Sequence, residues 1–528
     1  MQFENEDYYS ALLVNELFTE LLNWLTEQGY ILVDKETYTM TDIYSFIWLV
    51  IGGGLRLFDF GRWTIPLAAW LAPVFLIHFA RINDPLTGIA LIWLILMLAG
   101  YFAERGVIPL PGFAYPIFIG VLAVLWTLPY LADRLLFDQL PGLASTLVFP
   151  FAWVAYEFIM AKTSPFGTWG TVAYTQYGNR PLMQLASVTG LAGISFLVTW
   201  FGPVVNFAWD RQFQGAQAAS ALIVYGVILG LILLAGGARL AFSRYSKTVR
   251  MATIGWPEGL VGMDTVMRVF TPKPLEDAEQ PALRDAYLML QDYFLAESRR
   301  EARAGAKIVL WPEINLMVFR SDEEAFMERA RQVAREEQVY LLMGIGVHRP
   351  DEARPLENMS VLVNPAGEIV FSYVKTHPVP GIEAMTSTRG DGLPPTQDTE
   401  YGRLASVVCY DMDFPPLLRH VGRARADILL VPASDNKYIV HLHHVQAVFR
   451  AVENGVSMLR AARWGLSSAV DPLGRTLATM DDSLAAQKVM VAQLPTKGVT
   501  TIYSRIGDLF AWLCIIGLLG AIVLGFFT

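Results

Sequence analysis

The sequence predicts a multi-pass α-helical membrane bundle joined to a water-facing α/β domain. Three observations carry that prediction. Hydrophobic side chains make up 54% of the 528 residues and charged ones only 17%, a balance unsuited to a soluble enzyme and expected of a membrane protein. In the first half the apolar residues fall in long runs broken by Asp, Arg, Pro and Gly. Between Ser243 and Arg505 charges become frequent and short β-rich runs alternate with helical patterns, which marks one α/β domain.

Residues 1–42 form a polar segment. Leu17, Leu21, Leu22 and Leu25 recur at helical spacing there, which predicts a short amphipathic surface helix. From 43 to 242 the apolar runs suit helices of about twenty residues. Spans are expected near Ile43–Phe58, Thr64–Phe79, Pro85–Phe102, Gly112–Leu131, Pro141–Met160, Leu182–Trp209 and Ala218–Phe242, with a closing span within 506–528. That makes about seven helices before the α/β domain and one after it. Aromatic residues crowd the span edges, as in FDFGRW and SPFGTWGTVAYTQY, where an interfacial belt is expected.

The 243–505 region reads as strands at MATIGW, KIVLWPE, VYLLMGIGV, NMSVLVN, EIVFSYVK, RLASVVCYD, ADILLVPAS, VSMLRAAR, GLSSAVDP and KVMVAQL. Helices are expected at Leu283–Ala304 and His444–Asn454. With seven spans before it, this domain lies on the opposite face from residue 42. Counted naively, the positive-inside rule places it in the cytoplasm. Arg56, Arg62, Arg105, Lys162 and Arg180 share its side, against Arg81, Arg134 and Arg211.

Several function classes drop out on composition. A net charge of −9 argues against a nucleic-acid partner, which favours a basic surface. Two cysteines cannot build a disulfide framework. The acidic start, MQFENEDYYS, lacks the basic and apolar regions of a cleavable signal peptide. His441, His443 and His444 cluster without a paired Cys or carboxylate at ligand spacing, so neither a metal nor another cofactor is expected.

The chemistry concentrates at three strand ends: Glu313 after KIVLWP, Lys375 after VFSYV, and Cys409 after ASVV. Strand ends of α/β proteins are where ligands bind. A thiol is mostly protonated at neutral pH and needs a base or a cation beside it to act as a nucleophile. Glu313 can take the proton, and burial beside apolar walls is expected to raise its pKa. The Lys375 ammonium can stabilise a thiolate and an oxyanion, with the Tyr410 backbone N–H as second donor. Singly, each has a structural explanation: a turn acid, a solvated edge lysine, a buried core cysteine. Their joint placement is the stronger signal.

The order WPE, YVK, VCYD resembles the Glu–Lys–Cys triad of the nitrilase (carbon–nitrogen hydrolase) superfamily. That resemblance implies an αββα sandwich and acyl transfer through a thioester. Glu313 is then general base, Lys375 oxyanion stabiliser and Cys409 nucleophile, supported by Glu383, Tyr410 and Asp411. The chain after Asp42 further resembles the apolipoprotein N-acyltransferase family. The matching stretches are GGGLRLFDFGRWTIPLAAWLAPVFLIHF, AYEFIMAKTSPFGTWGTVAYTQYGNRPLMQLASVTGLAGISFLV, HLHHVQAVFRAVENG and TKGVTTIYSRIGDLFAW.

This second resemblance implies a phospholipid acyl donor and a lipoprotein or lipopeptide amine acceptor. It also implies a bacterial inner-membrane location with the catalytic domain on the extracytoplasmic face, against the loop charges. Glu157 and Trp169 fall near its lipid portal. Glu157 reads equally as a helix-end residue, Trp169 as an interface anchor, and Arg450 with Glu453 as a local helix pair.

Other readings stay open. TRGDGLPPTQDTEYGRLASVVCYDMDFP is similar to soluble amide hydrolases of the superfamily, which keeps a membrane-tethered amidase in play. Transfer to a different amine and a non-enzymatic scaffold are the remaining alternatives.

Overall fold

The computed structural model describes residues 45–108, 110–243, 246–262, 265, 268, 279–349 and 352–527. The expected amphipathic helix within 1–42 lies outside the described residues. Among them, six helices are long and apolar enough to cross a membrane: Pro85–Ala103, Ala114–Leu136, Gly142–Thr163, Leu191–Trp209, Gly215–Ala241 and Leu509–Phe526.

Two of the eight expected spans are shorter. Phe46–Arg56 has 11 residues and Pro66–Ile82 has 17. At about 1.5 Å per residue these reach about 16 and 25 Å, against a core of about 30 Å. The IGGG run in the first has a packing reason. A Cβ on Gly52 would meet Leu76 at 2.7 Å, and one on Gly53 would meet Ile95 at 2.2 Å, so two neighbouring helices lie against bare backbone.

The helices alternate in direction, which defines two faces of the bundle. On the far face Arg81 bonds Asp133 twice at 2.9 Å and Asp210 at 3.1 Å. The near face meets the α/β domain, where the Tyr438 ring lies 2.9 Å from a Cβ built on Gly106. Helix Phe46–Arg56 starts on the far face, and helix Leu509–Phe527 returns to it.

The α/β domain is two face-to-face sheets. All ten expected strands form: β1 Thr248–Ile254, β2 Ile308–Leu310, β4 Tyr340–His348, β5 Leu356–Val363, β6 Ile369–Val374, β8 Gly402–Ser406, β9 Ile428–Ser434, β10 Ser457–Arg463, β11 Leu466–Val470 and β13 Val489–Pro495. Three short strands were not expected: β3 Leu316–Phe319, β7 Thr396–Thr399 and β12 Thr476–Asp481.

One sheet runs β13-β1-β2-β4-β5-β6 with β3 beside β4, the other β12-β11-β10-β9-β8-β7. β1, β2 and β4 are parallel, as are β8, β9 and β10. Alternating side chains split between two cores. Met251, Leu310, Leu404 and Leu430 meet between the sheets. Ala405, Leu429, Val431 and Met458 join the helix Val440–Asn454 and the membrane bundle in one continuous core. Helices Gln280–Arg303 and Glu323–Glu337 cover the other sheet.

Candidate active site

Strand direction brings the three expected groups to one edge. Glu313 follows β2, Lys375 follows β6, and Cys409 follows β8 with two residues between. All three are buried, with 3%, 1% and 3% of their surface exposed. The Lys375 Nζ donates to Glu313 Oε1 at 2.7 Å and to both Glu383 oxygens at 3.0 and 2.9 Å. Glu383 sits on the short helix Ile382–Thr386, and its Oε2 also accepts the Val379 N–H at 2.8 Å.

Cys409 has φ +46°, a left-handed conformation that strains a residue carrying a side chain. It opens a 3₁₀ turn, Cys409–Asp413, that leads into helix Pro415–Arg423. The sharp strand-to-helix turn presents the thiol rather than packing it as a core methyl would be. Its Sγ donates to the Ser434 carbonyl at 3.4 Å.

Asp411 is the brace of this turn. Its carboxylate accepts the Val408 N–H at 3.2 Å, the Tyr373 hydroxyl at 2.9 Å and the His377 N–H at 2.9 Å. It thus ties the elbow to the segment that follows Lys375.

The electrostatics differ from the sequence expectation at one point. Burial does push Glu313 up. The Lys375 charge and hydrogen bonds from Lys375, Asn358 and Cys409 outweigh it and hold the carboxyl below its ordinary value. The expected rise is therefore corrected to a depression, because the desolvated acid has a cation in direct contact. Burial lowers Lys375, but Glu313, Glu383 and Cys409 together hold it well above the usual lysine range. Burial and the Glu313 charge push the Cys409 thiol up, and Lys375 opposes them only in part. The resting state is a carboxylate, an ammonium and a thiol.

Two contributors escaped the sequence reading. Asn358, inside β5, donates to Glu313 at 2.7 Å and Glu383 at 2.8 Å. A buried amide in the strand LENMSVLV was the available signal. Arg463 ends β10 on the same edge. Its Nη1 donates to the Ile314 carbonyl at 3.0 Å, and its guanidinium lies 4.2 Å from the Trp464 ring. Burial lowers it to about 10, offset by Glu313, Asp482 and Cys409. The strand-end logic that found Lys375 applies equally to it.

The membrane half reaches the elbow directly. Tyr410 Oη donates to the Pro165 carbonyl at 2.8 Å, and Thr168 donates to the Asp413 carbonyl through N–H at 3.0 Å and Oγ1 at 3.1 Å. Gly167 has φ +57°, and a Cβ there would meet Asp413 O at 2.4 Å, so glycine permits the approach.

Glu157 accepts from Trp153 and the Val172 N–H at 2.8 Å each and from Ser195 at 2.6 Å. Its oxygens tie helices together. It also lines a cleft with Glu453, Tyr503 and Asp508. Trp169 is half-buried beside the elbow loop and is not part of that cleft's wall. Arg450 and Glu453 do form an i,i+3 pair, at 2.6 Å. It is no surface pair: Arg450 also donates to Tyr174 at 2.8 Å, and Glu453 accepts the Leu191 N–H at 3.0 Å.

The donor atoms of Cys409, Asp435 and His443 lie within 4.8 Å of one another, a spacing a metal ion can use. However, Arg460 Nη2 bonds both Asp435 oxygens, at 2.7 and 2.8 Å, and lies 3.0 Å from His443 Nδ1. A cation in that spot would meet a guanidinium.

Comparison with known proteins agrees with this architecture. Residues 52–204 match the apolipoprotein N-acyltransferase N-terminal domain, and residues 287–503 match the carbon-nitrogen hydrolase family. An apolipoprotein N-acyltransferase from Geobacter metallireducens is 26% identical over 517 residues, covering 90% of this chain and 94% of the relative. One from Rhizobium rhizogenes is 23% identical, covering 79% and 78%. Among solved structures, an amidase from Nesterenkonia sp. is 21% identical, with a TM-score of 0.39, covering 51% of this chain and 98% of its own. The two domain matches thus stand in tandem along the chain, and relatives named apolipoprotein N-acyltransferase are similar to it over most of its length.

Proposed function

We propose that this protein moves an acyl chain from a membrane phospholipid, through a thioester on Cys409, to the N-terminal amine of a diacylglyceryl-cysteine lipoprotein. The observation that carries this reading is the buried Glu313–Lys375–Cys409 cluster at a sheet edge whose elbow is bonded to a loop of the membrane half.

In the first step Cys409 Sγ attacks the ester carbonyl and its proton passes to Glu313. Because the resting thiol is held up and the carboxyl down, this transfer is uphill until the incoming carbonyl draws charge from sulfur. Lys375, with the Tyr410 N–H, then stabilises the oxyanion. Glu313 returns the proton to the glycerol oxygen, and a lysophospholipid leaves. In the second step the acceptor amine attacks the thioester and forms the amide. Both substrates carry acyl chains that cost about 0.8 kcal/mol per CH₂ to bring into water, so a site against the bundle suits them.

The catalytic domain is read as extracytoplasmic. Two of the five cations on its face are paired within the protein: Arg56 with Asp59, and Lys162 with Asp508 at 2.8 Å. This weakens the loop-charge argument for the opposite orientation. A fluorescent reporter fused after the closing helix is expected to fold on the cytoplasmic side; a dark reporter that becomes active with a periplasm-competent fusion reverses the assignment.

The function is tested by intact-protein mass spectrometry after incubation with phospholipid, alongside Cys409→Ser. The expected result is an added acyl mass on the wild type only, lost when a diacylglyceryl lipopeptide is supplied. Turnover of small amides without any phospholipid adduct would identify an amidase instead.

A further inference from the structure

The second half-reaction poses a proton problem that the three residues at the sheet edge do not solve. An acceptor amine is an ammonium near neutral pH. To become an amide nitrogen it must lose two protons. One returns to the Cys409 sulfur as the thioester breaks, and Glu313, emptied when it protonated the leaving lysophospholipid, can carry that one. The other needs a second acceptor within reach of the sulfur.

The structure holds such a group near the thiol. His443, on helix Val440–Asn454, is 2% exposed. Its Nδ1 lies 2.7 Å from Asp435 Oδ1. A carboxylate only accepts, so Nδ1 carries the hydrogen and Nε2 is left as the basic nitrogen. The nearby Arg460 donates to the same carboxylate and fixes it from below.

Among the described residues, His443 Nε2 has no hydrogen-bond partner, and neither oxygen of the buried Asp413 has one. Nε2 faces Asp413 Oδ1 at 3.9 Å. A ring nitrogen of His443 and an Asp435 oxygen lie within 4.8 Å of the Cys409 sulfur, a gap that one water spans. A carboxylate–imidazole pair with one free nitrogen beside a nucleophile is the arrangement that makes a histidine a base. Orphaned buried polar atoms call for a role, and here one orphaned ring nitrogen faces an orphaned carboxylate oxygen.

We propose that His443, oriented by Asp435, is a second proton acceptor of the site and takes the extra proton of the acceptor ammonium in the transfer step. This rests on the acyl-transfer reading above. The balance is complete: the C–S bond breaks and a C–N bond forms. One ammonium proton passes through Glu313 to sulfur. The other passes directly or through one water to His443 Nε2, with Asp413 facing the imidazolium formed. Phospholipid acylation uses only Glu313, so His443 matters to one half-reaction and not to the other.

The test separates the halves in the full-length protein in phospholipid–detergent micelles. His443→Gln and His443→Asn are loaded with phospholipid, and thioester formation is followed by intact mass. Loaded protein is then mixed with a diacylglyceryl lipopeptide or with hydroxylamine, which is already neutral near neutral pH and sheds a single proton, the one that sulfur takes, leaving none for a second acceptor. The expected result is thioester formation within about threefold of wild type, decay by the lipopeptide slowed by about 10²-fold or more, and decay by hydroxylamine at the wild-type rate. The thioester step serves as the folding control.

Equal slowing toward both nucleophiles, no slowing toward the lipopeptide, or loss of thioester formation in both variants would overturn the proposal. A wild type that forms no thioester with phospholipid would instead overturn the acyl-transfer reading itself.

Discussion

Two buried ion clusters in this molecule look alike and do different work. In one, Lys375 is held by Glu313 and Glu383 at 2.7–3.0 Å. In the other, Arg450 is held by Glu453 at 2.6 Å and Tyr174 at 2.8 Å. Both cations are fully buried. The partners of Lys375 lie 62 and 8 positions away within the same α/β domain, and the cluster faces a strained cysteine. The Tyr174 partner of Arg450 lies 276 positions away, and the Leu191 N–H bonded to Glu453 lies 262 away. Both belong to the membrane half. The first cluster sets protonation states beside the Cys409 thiol; the second rivets the domain to the bundle. A buried salt bridge is therefore no sign of catalysis until one asks what it faces.

Removing each cation separates the two roles. In Lys375→Met two carboxylates share a buried site without a cation, and one of them must take up a proton. Thioester formation is expected to fall by about 10³-fold or more, while the membrane junction stays intact. In Arg450→Met the stranded Glu453 charge and the lost Tyr174 bond are expected to cost about 3–5 kcal/mol of stability, read as a lowered unfolding midpoint in detergent. The folded fraction should still acylate Cys409 at close to the wild-type rate. A stable but inactive Arg450→Met, or an active Lys375→Met, would break the distinction.

The same comparison explains what the sequence could reveal. Glu313, Lys375 and Cys409 were legible because each ends an apolar run of five or so residues, and strand direction alone brings such ends together. The ten strands were legible for the same reason. β3, β7 and β12 were not: LMVF, TQDT and TLATMD are too short or too polar to announce themselves and are held by their neighbours. Arg450 and Glu453 showed only their local i,i+3 spacing, since no pattern in a helix reveals a hydroxyl far away in the chain. The depression of Glu313 was missed because burial was weighed before its contact with Lys375 was known. His443 stood out in sequence as one of three clustered histidines on a helix that resembles one of the family's, with no partner legible for it. Its bond to Asp435 depends on β9 ending where it does.

The finest distinction is between two buried acids with opposite pH behaviour. Glu313 is held below its ordinary value by Lys375 despite burial. Its stabilisation is present above that ordinary value and is lost as pH falls through the depressed one. Asp413 is the reverse. Burial, with Asp435 adding, raises it from 3.8 to about 6, against His443, Arg450 and Arg460. The protonated form suits the fold, so its stabilisation is complete below about 3.8 and is lost as pH rises through about 6. Asp413→Asn is neutral throughout. It should match the wild type at low pH and gain on it up to about pH 6, levelling at an advantage on the order of 2–3 kcal/mol. Glu313→Gln should show the opposite trend, a deficit above the ordinary carboxylate range that closes as the solution is acidified. Unfolding midpoints across pH for both variants, on one axis, decide the matter. Parallel curves would mean that the contact with Lys375, rather than shared burial, does not set these two carboxyls apart.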